Sequence, residues 1–179
     1  MPRLKCLEKS QASPQSQQLM AELESKKMLL NIFRGMANSP VVLDAYLKFS
    51  GALREGKLDA KIREAIAITV AQSNNSAYCL AAHHFMGKNA GLDDSAIRDA
   101  RLGKSSDGKT NMAIALARQI IASRGMVSDS DVIAAHAAGL DDGEIAEVVA
   151  NVVLNCFTNY FNNLNQTEVD FPKVALNPG

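Results

Sequence analysis

Apolar residues recur three and four positions apart from about residue 16 to residue 164, which is the spacing of a buried helix face. The longest such segment is 142–164, whose apolar stripe at helical spacing consists of Ile145, Val148, Val149, Val152, Cys156, Phe157, Tyr160 and Leu164. Another, 59–73, is apolar on nearly every side, so we expect it to form a central helix. The chain has 26 Ala but only 11 Gly and 5 Pro, which favours closely packed helices over many short strands. The sequence therefore predicts an all-α protein.

The 179 residues are enough for one domain with a core of its own. Residues 1–15 are rich in Ser, Gln and Pro and predict a flexible N-terminal arm, and residues 16–179 predict a single helical domain. The tail after Asp170 contains two Pro and is expected to be extended. Within the domain we expect helices over 40–54, 59–73, 76–89, 93–101, 109–124, 129–138 and 142–164.

The phrase Ala-Gly-Leu-Asp-Asp occurs twice, at 90–94 and at 138–142. Its glycine suits the left-handed residue that ends a helix, and its first aspartate suits the N-cap of the next helix. In the second copy, Asp141 and Glu144 have the spacing of a capping box. Both convergent helix-hairpin chemistry and an old duplication of a helical hairpin explain the repeat.

Charge and cysteine usage restrict the class of protein. The 19 Lys and Arg balance the 19 Asp and Glu, so the chain lacks the positive field that nucleic-acid or anionic-membrane binders need. No apolar run reaches the length of a membrane span, and the first twenty residues lack the apolar region of a signal peptide. We therefore expect a cytoplasmic protein. Its three cysteines, Cys6, Cys79 and Cys156, are too few for a disulfide framework.

The segment from Glu64 to His84 carries the candidate chemistry. Cys79 falls in the first turn of a helix that we expect Ser76 to cap, and the unpaired N–H groups there favour a thiolate. His83 follows by four residues and shares the helix face of Cys79. Glu64 stands near the start of the preceding buried helix, where a carboxylate needs a partner, and His83 is the nearest suitable one. The set supplies a nucleophile, a base and an orienting carboxylate.

The same residues also have simpler interpretations. A buried helical cysteine is commonly a small hydrophobic residue, and Cys and His occur at this spacing by chance. His84 points off the shared face and is expected at the surface or at an interface. Two His and Cys79 suggest a metal set, but no fourth ligand follows at a recognisable spacing, so we predict no metal. No haem or flavin motif is present, and no cofactor is predicted.

The stretch from Glu64 to His83 resembles the core of the carboxymuconolactone decarboxylase superfamily, in its alkylhydroperoxidase D (AhpD)-like branch. In that core a Glu precedes a C-x-x-C pair, and a His follows the second Cys by four residues. Here residues 76–79 read Ser-Ala-Tyr-Cys, so Ser76 replaces the first cysteine. The resemblance covers roughly residues 25–175, including the phrases AAGLDDGEIAEVVANVVLNCFTNYFNN and TEVDFP. It implies an AhpD-like multi-helix bundle that oligomerises through helical faces, as a trimer or a hexamer.

The resemblance also implies a thiol-dependent peroxidase. Cys79 would attack a hydroperoxide, His83 and Glu64 would relay protons, and Ser76 would be a hydrogen-bonding remnant of the resolving position. Without a cysteine there, the partner is expected to be an external thiol or dithiol. Cys156 could instead react with the oxidised sulfur of Cys79. Its position on the apolar stripe of 142–164, however, indicates a core residue before anything else. Cys6 could also reach the site, including from a neighbouring subunit.

Two alternatives remain open. A lactone decarboxylase, from the other branch of the superfamily, would use a His–Glu proton relay on a small acidic substrate and would need no thiol. It is less expected because no arginine pair with the spacing of a carboxylate clamp is evident near the site. A catalytically silent helical oligomer is the other alternative. The apolar character of 59–73 and 142–164 exceeds what one small bundle can bury, which favours subunit packing.

Overall fold

A computed structural model describes residues 1–177. Residues 178 and 179, the end of the predicted domain, lie outside the described residues. The described chain is helical and contains no strand, which confirms the all-α prediction. None of its helices is both long enough and apolar enough to cross a membrane. The helices are α1 Pro14–Ser25, α2 Asn31–Met36, α3 Pro40–Arg54, α4 Ala60–Ser73, α5 Ala77–Asn89, α6 Asp94–Arg101, α7 Gly108–Ser123, α8 Asp129–Ala137 and α9 Asp142–Asn165, after a single 3-10 turn at Lys9–Gln11.

Most helix boundaries agree with the sequence to within one residue. The helix predicted over 40–54 is present in full, and its Pro40 occupies the first helical position, where the missing N–H has no bond to lose. The continuous helical pattern that starts near residue 16 is divided into α1 and α2. Lys27, between them, has a left-handed φ of 56°, which interrupts the helix.

The repeated phrase has the predicted geometry in both copies. Gly91 and Gly139 have φ of 93° and 89°, a conformation that a side chain would strain. The side chains of Asp93 and Asp141 each accept a backbone N–H in the first turn of the following helix. Asp141 and Glu144 form the predicted capping box at the start of α9.

Helix α4 is central, as its apolar sequence predicts, because it contacts α5, α6, α7 and α9. Two core clusters meet at this helix. The first core cluster includes residues of α1, α2, α3, α5 and α6 and receives Ala65, Ile68 and Ala71 from α4. The second core cluster joins α7, α8 and α9 and receives Ile62, Ile66 and Val70 from α4. Because α4 is fixed on both sides, it holds Glu64 and the start of α5 in place.

Helix α9 has an unexpected distribution of polar residues in its second half. Its sequence predicted an apolar stripe that included Phe157, Tyr160 and Leu164, but these side chains are 39%, 60% and 57% exposed. The buried side of α9 carries amides and hydroxyls instead: Asn151, Asn155, Thr158, Asn159, Asn162 and Asn165. Several of their polar atoms bond the helix backbone and neighbouring side chains, but Asn159 Nδ2 and Asn162 Oδ1 are buried and have no hydrogen-bond partner within residues 1–177.

The chain termini lie against the helices. Leu7 is buried, and the backbone N–H of Arg3 donates to the carbonyl oxygen of Asn165 at 2.8 Å. Flexibility of the arm over residues 1–15 concerns motion and stays a prediction. After α9, Asp170 accepts a hydrogen bond from the backbone N–H of Asn31 at 3.1 Å and another from the hydroxyl of Tyr78 at 2.5 Å. These contacts hold the tail against α2 and α5.

Candidate functional site

A cavity of about 130 Å³ opens between α3, α4, α5, α9 and the tail. Glu64, Cys79 and His83 all line it, so three of the four predicted site residues meet at one cavity. One water occupies about 30 Å³ of liquid, so the cavity has room for a few waters or a small organic peroxide. Apolar side chains form much of the remaining wall: Phe33, Ala67, Met86, Leu154 and Phe171.

His83 and Glu64 form the predicted contact. The Nδ1 atom of His83 lies 2.8 Å from Oε2 of Glu64, and the two side chains are 16% and 20% exposed. When Nδ1 carries the proton, it donates to the carboxylate and leaves Nε2 free to accept a proton, which it can later return. The carboxylate therefore orients the imidazole beside the cavity, while water still reaches the pair.

Cys79 occupies the third position of α5 and is 3% exposed. The Nδ2 group of Asn162, on α9, donates a hydrogen bond to Cys79 Sγ at 3.2 Å. The thiol therefore has a polar neighbour on the protein side and the cavity on the other. It is not surrounded by hydrocarbon alone.

Ser76 does not act as the sequence predicts. It is the N-cap residue of α5, but its side chain accepts no hydrogen bond from the first turn. Its hydroxyl is fully buried, has no hydrogen-bond partner within residues 1–177, and does not line the cavity. The reason is orientation, since the hydroxyl turns into the protein interior. The first turn that contains Cys79 consequently has no side-chain cap, and its N–H groups remain available to a negative charge.

Two arginines line the cavity, although the sequence showed no pair with clamp spacing. Arg54 ends α3, and Arg63 lies in the first turn of α4, so the α3–α4 connection brings them to the same wall. Neither forms an ion pair with an Asp or Glu within the described chain, and Arg63 donates to the backbone carbonyl of Leu58. Guanidinium groups without a carboxylate partner can bind an anionic group of a ligand.

Two tyrosines at the cavity keep their protons. Burial raises the pKa of Tyr46. Burial also raises the pKa of Tyr78, and the hydrogen bond and the negative charge of Asp170 raise it further. Both phenols are therefore hydroxyl groups near neutral pH.

The other two cysteines lie away from the cavity wall. Cys156 packs against the second core cluster, and Asn74 Nδ2 lies 3.6 Å from its sulfur. Cys6 is exposed, with its sulfur 3.6 Å from Oδ1 of Asn31. All three cysteines are free thiols. Over residues 1–177, no three His, Cys, Asp or Glu side chains cluster closely enough to hold a metal ion.

Sequence reasoning missed Arg54, Arg63 and the amide face of α9. A signal for that face was present, because Asn151, Asn155, Asn159 and Asn162 recur at helical spacing in a segment rich in apolar residues. Amides at such positions indicate that one side of the helix faces polar groups. The sequence could not indicate which groups these are.

Residues 40–123 match the sequence model of the carboxymuconolactone decarboxylase family, and this span contains Glu64, Cys79 and His83. No curated protein matches the chain. Among solved structures, it is similar to the alkylhydroperoxidase AhpD core of an uncharacterized peroxidase-related protein from Ralstonia eutropha JMP134. The TM-score is 0.85 at 18% identity, over 94% of this chain and 92% of that one.

Two other solved structures are also similar. A peroxidase-related protein from Silicibacter sp. TM1040 gives a TM-score of 0.78 at 19% identity, over 98% of this chain and 96% of that one. The debrominase Bmp8, solved in complex with 2,3,4-tribromopyrrole, gives 0.76 at 17% identity, over 92% of this chain and 89% of that one. At such low identity these structures show a shared fold. Residues 40–123 therefore match the carboxymuconolactone decarboxylase family, and the fold of the chain is that of the alkylhydroperoxidase AhpD core.

Proposed function

We propose that the protein is a thiol-dependent peroxidase in which Cys79 attacks a hydroperoxide with help from His83 and Glu64. The observation that carries the proposal is that the Cys79 side chain and the paired His83 and Glu64 side chains line one small cavity. The names of two similar structures, both peroxidase-related, agree with this activity. A debrominase has a similar fold, so the fold does not determine the activity, and the proposal depends on the site residues.

The first step uses the thiolate of Cys79. Its sulfur attacks one peroxide oxygen, an S–O bond forms, and the O–O bond breaks. His83 Nε2 takes the thiol proton when the thiolate forms, and the departing alkoxide then takes that proton from His83, whose orientation Glu64 maintains, and leaves as an alcohol. Cys79 becomes a sulfenic acid, so the sulfur is oxidised and the peroxide is reduced.

A one-cysteine cycle completes the reaction, because Ser76 cannot form a disulfide. One molecule of an external thiol attacks the sulfenic acid, giving a mixed disulfide and water, and a second thiol or the other arm of a dithiol releases Cys79. The cycle converts one hydroperoxide and two thiol groups into an alcohol, water and a disulfide. It needs a supply of reduced thiols, so the proposal includes the cytoplasmic location that the sequence predicts.

A peroxide pulse followed by intact-mass analysis tests the proposal. We expect one added oxygen on Cys79, trapped by a sulfenic-acid reagent, and conversion to a mixed disulfide when a small thiol is added. Peptide mapping assigns the modified sulfur, and the Cys79→Ser protein is the control. If Cys79 neither oxidises nor reacts with alkylating reagents in the assembled protein, the catalytically silent alternative is correct.

One observation favours a second candidate, the lactone decarboxylase. Arg54 and Arg63 could hold the carboxylate of a small acidic substrate beside the His83–Glu64 pair. This reaction uses proton transfer and needs no thiol. Cys79→Ala separates the two functions, because it abolishes the peroxidase and leaves a decarboxylase active on a lactone acid.

We also propose that the chain forms a trimer or a hexamer through the α9 outer face, defined as Val149, Val153, Phe157, Tyr160 and Leu164. All five side chains are at least 39% exposed and recur at helical spacing, so they form one apolar stripe on the described chain. An aspartate within the stripe would be desolvated on association, which is costly.

We therefore expect Val153→Asp to shift the assembly toward the single chain, as measured by light scattering. Ile133→Asp is the matched control, because Ile133 is equally apolar and 66% exposed but lies on α8. If both variants keep the native mass, the contact lies elsewhere. If the unmodified protein is already a single chain, the oligomer prediction is wrong.

A further inference from the structure

Asn162 contacts the sulfur that the proposed reaction uses. Its Nδ2 group lies 3.2 Å from Cys79 Sγ, and the two residues are 2% and 3% exposed. The contact joins the end of α9 to the first turn of α5, which are 83 residues apart in sequence. It is the only side-chain hydrogen bond to Cys79 among the described residues. Asn162 therefore determines the polar environment of the sulfur on the side away from the cavity.

The direction of this hydrogen bond has a chemical consequence. An amide N–H donates, and a thiolate is a far stronger acceptor than a neutral thiol. A donor directed at the sulfur therefore favours the thiolate over the thiol. Since an amide does not titrate, its contribution persists over the whole pH range, unlike that of an imidazole.

The other end of the Asn162 amide argues against a purely structural role. Its Oδ1 atom is buried and has no hydrogen-bond partner within residues 1–177. Asn165, three residues later on α9 and equally buried, uses both ends of its amide. It donates to Thr167 Oγ1 at 3.0 Å and accepts from the backbone N–H of Leu4 at 2.7 Å. Asn165 therefore satisfies both ends of its amide, whereas Asn162 donates to sulfur and leaves its carbonyl oxygen without a partner.

We infer that Asn162 is the hydrogen-bond donor that holds the Cys79 sulfur in its thiolate form and directs it toward the cavity. The inference rests on the proposed function for its importance, because the thiolate is the attacking form. The thiolate itself can be measured without any peroxide.

The test uses protein in which Cys6 and Cys156 are replaced by serine, so that Cys79 is the only thiol. We expect Asn162→Ala to lower the rate of alkylation by iodoacetamide at neutral pH about tenfold, the lower end of what a hydrogen bond to a charged group contributes. The midpoint of the thiolate titration, followed by ultraviolet absorbance, should move to higher pH. At high pH the alkylation rates of the two proteins should converge, because both sulfurs are then fully ionised.

Two further variants keep the test decisive. Asn162→Asp preserves the size of the side chain but places a carboxylate beside the sulfur, so it should suppress the thiolate at least as strongly as Asn162→Ala. Asn165→Ala is the matched control, which should reduce stability and leave the thiolate titration unchanged. An unchanged titration in folded Asn162→Ala and Asn162→Asp overturns the inference. So does a shift to lower pH in Asn162→Ala, because the amide would then accept from the S–H group.

The outcomes separate this inference from the proposed function. If Asn162→Ala shifts the titration but the unmodified protein consumes no peroxide, the inference holds and the peroxidase proposal fails. If the unmodified protein consumes peroxide and the thiolate titration of Asn162→Ala has the same midpoint as that of the unmodified protein, the peroxidase proposal holds and the inference fails.

Discussion

Cys79→Ser is expected to reduce peroxide consumption to the uncatalysed background, a loss on the order of a thousandfold or more. A serine hydroxyl fits the space of the thiol and can still contact Asn162, but it is hardly ionised at neutral pH and is a poor nucleophile toward peroxide oxygen. The measurement is the rate of hydroperoxide loss in the presence of an excess of a small thiol, with the folded state checked by circular dichroism.

Cys156→Ser and Cys6→Ser are the matched controls for this prediction. Neither residue lines the cavity, and each should retain most of the rate. A strong loss in Cys156→Ser would assign the resolving role to Cys156 and remove the external thiol from the cycle. Full activity in Cys79→Ser would contradict the peroxidase mechanism.

His83→Gln and Glu64→Gln are each expected to lower the rate of Cys79 oxidation about a hundredfold, the lower end of the range for general acid–base catalysis. Glutamine removes the titrating ring in the first case. In the second it removes the charge that orients the ring, which now lies 2.8 Å from Glu64 Oε2. The measurement is rapid mixing with peroxide, followed by quenching and determination of sulfenic acid at several pH values.

The double variant distinguishes a relay from two independent effects. Residues that act as one unit lose their contribution only once, so His83→Gln combined with Glu64→Gln should be little slower than either single variant. Additive losses would mean that Glu64 contacts the reacting groups separately. Unchanged rates in both single variants would show that the pair only stabilises the fold.

The sequence predicted elements well where local patterns decide them. Helix α4 was recognised as central because its apolar residues surround the helix, and two core clusters do bury it. Gly91 and Gly139 were placed correctly because few other residues tolerate their positive φ. The contact between Glu64 and His83 followed from the need of a buried carboxylate for a partner. For α4 and the two glycines, the physical requirement is carried by residues close together in the chain.

The sequence failed where distant segments meet. Helix α9 was recognised as a helix, and Val148 and Val152 of its apolar stripe are buried, but Phe157, Tyr160 and Leu164 of the same stripe are exposed, because the pattern gives no information on what each side contacts. Asn162 faces a sulfur of another helix, and only the packing of α9 across α5 brings them together. Arg54 and Arg63 escaped notice because they come from different helices. Ser76 is the N-cap residue, as its sequence position indicates, but its side chain makes no cap hydrogen bond, and the sequence does not determine where that side chain points.

The tail after α9 has a consequence for the range of ligands. Phe171 forms part of the cavity wall, and Asp170 next to it is tied to Tyr78 and to the backbone of α2. That portion of the wall is thus built from a segment without regular secondary structure, outside the helical frame that carries Cys79. Exchanges of side chains there can admit bulkier or smaller oxidants while the reacting groups stay where they are. The selectivity for the oxidant can therefore change without any change in the groups that react with it.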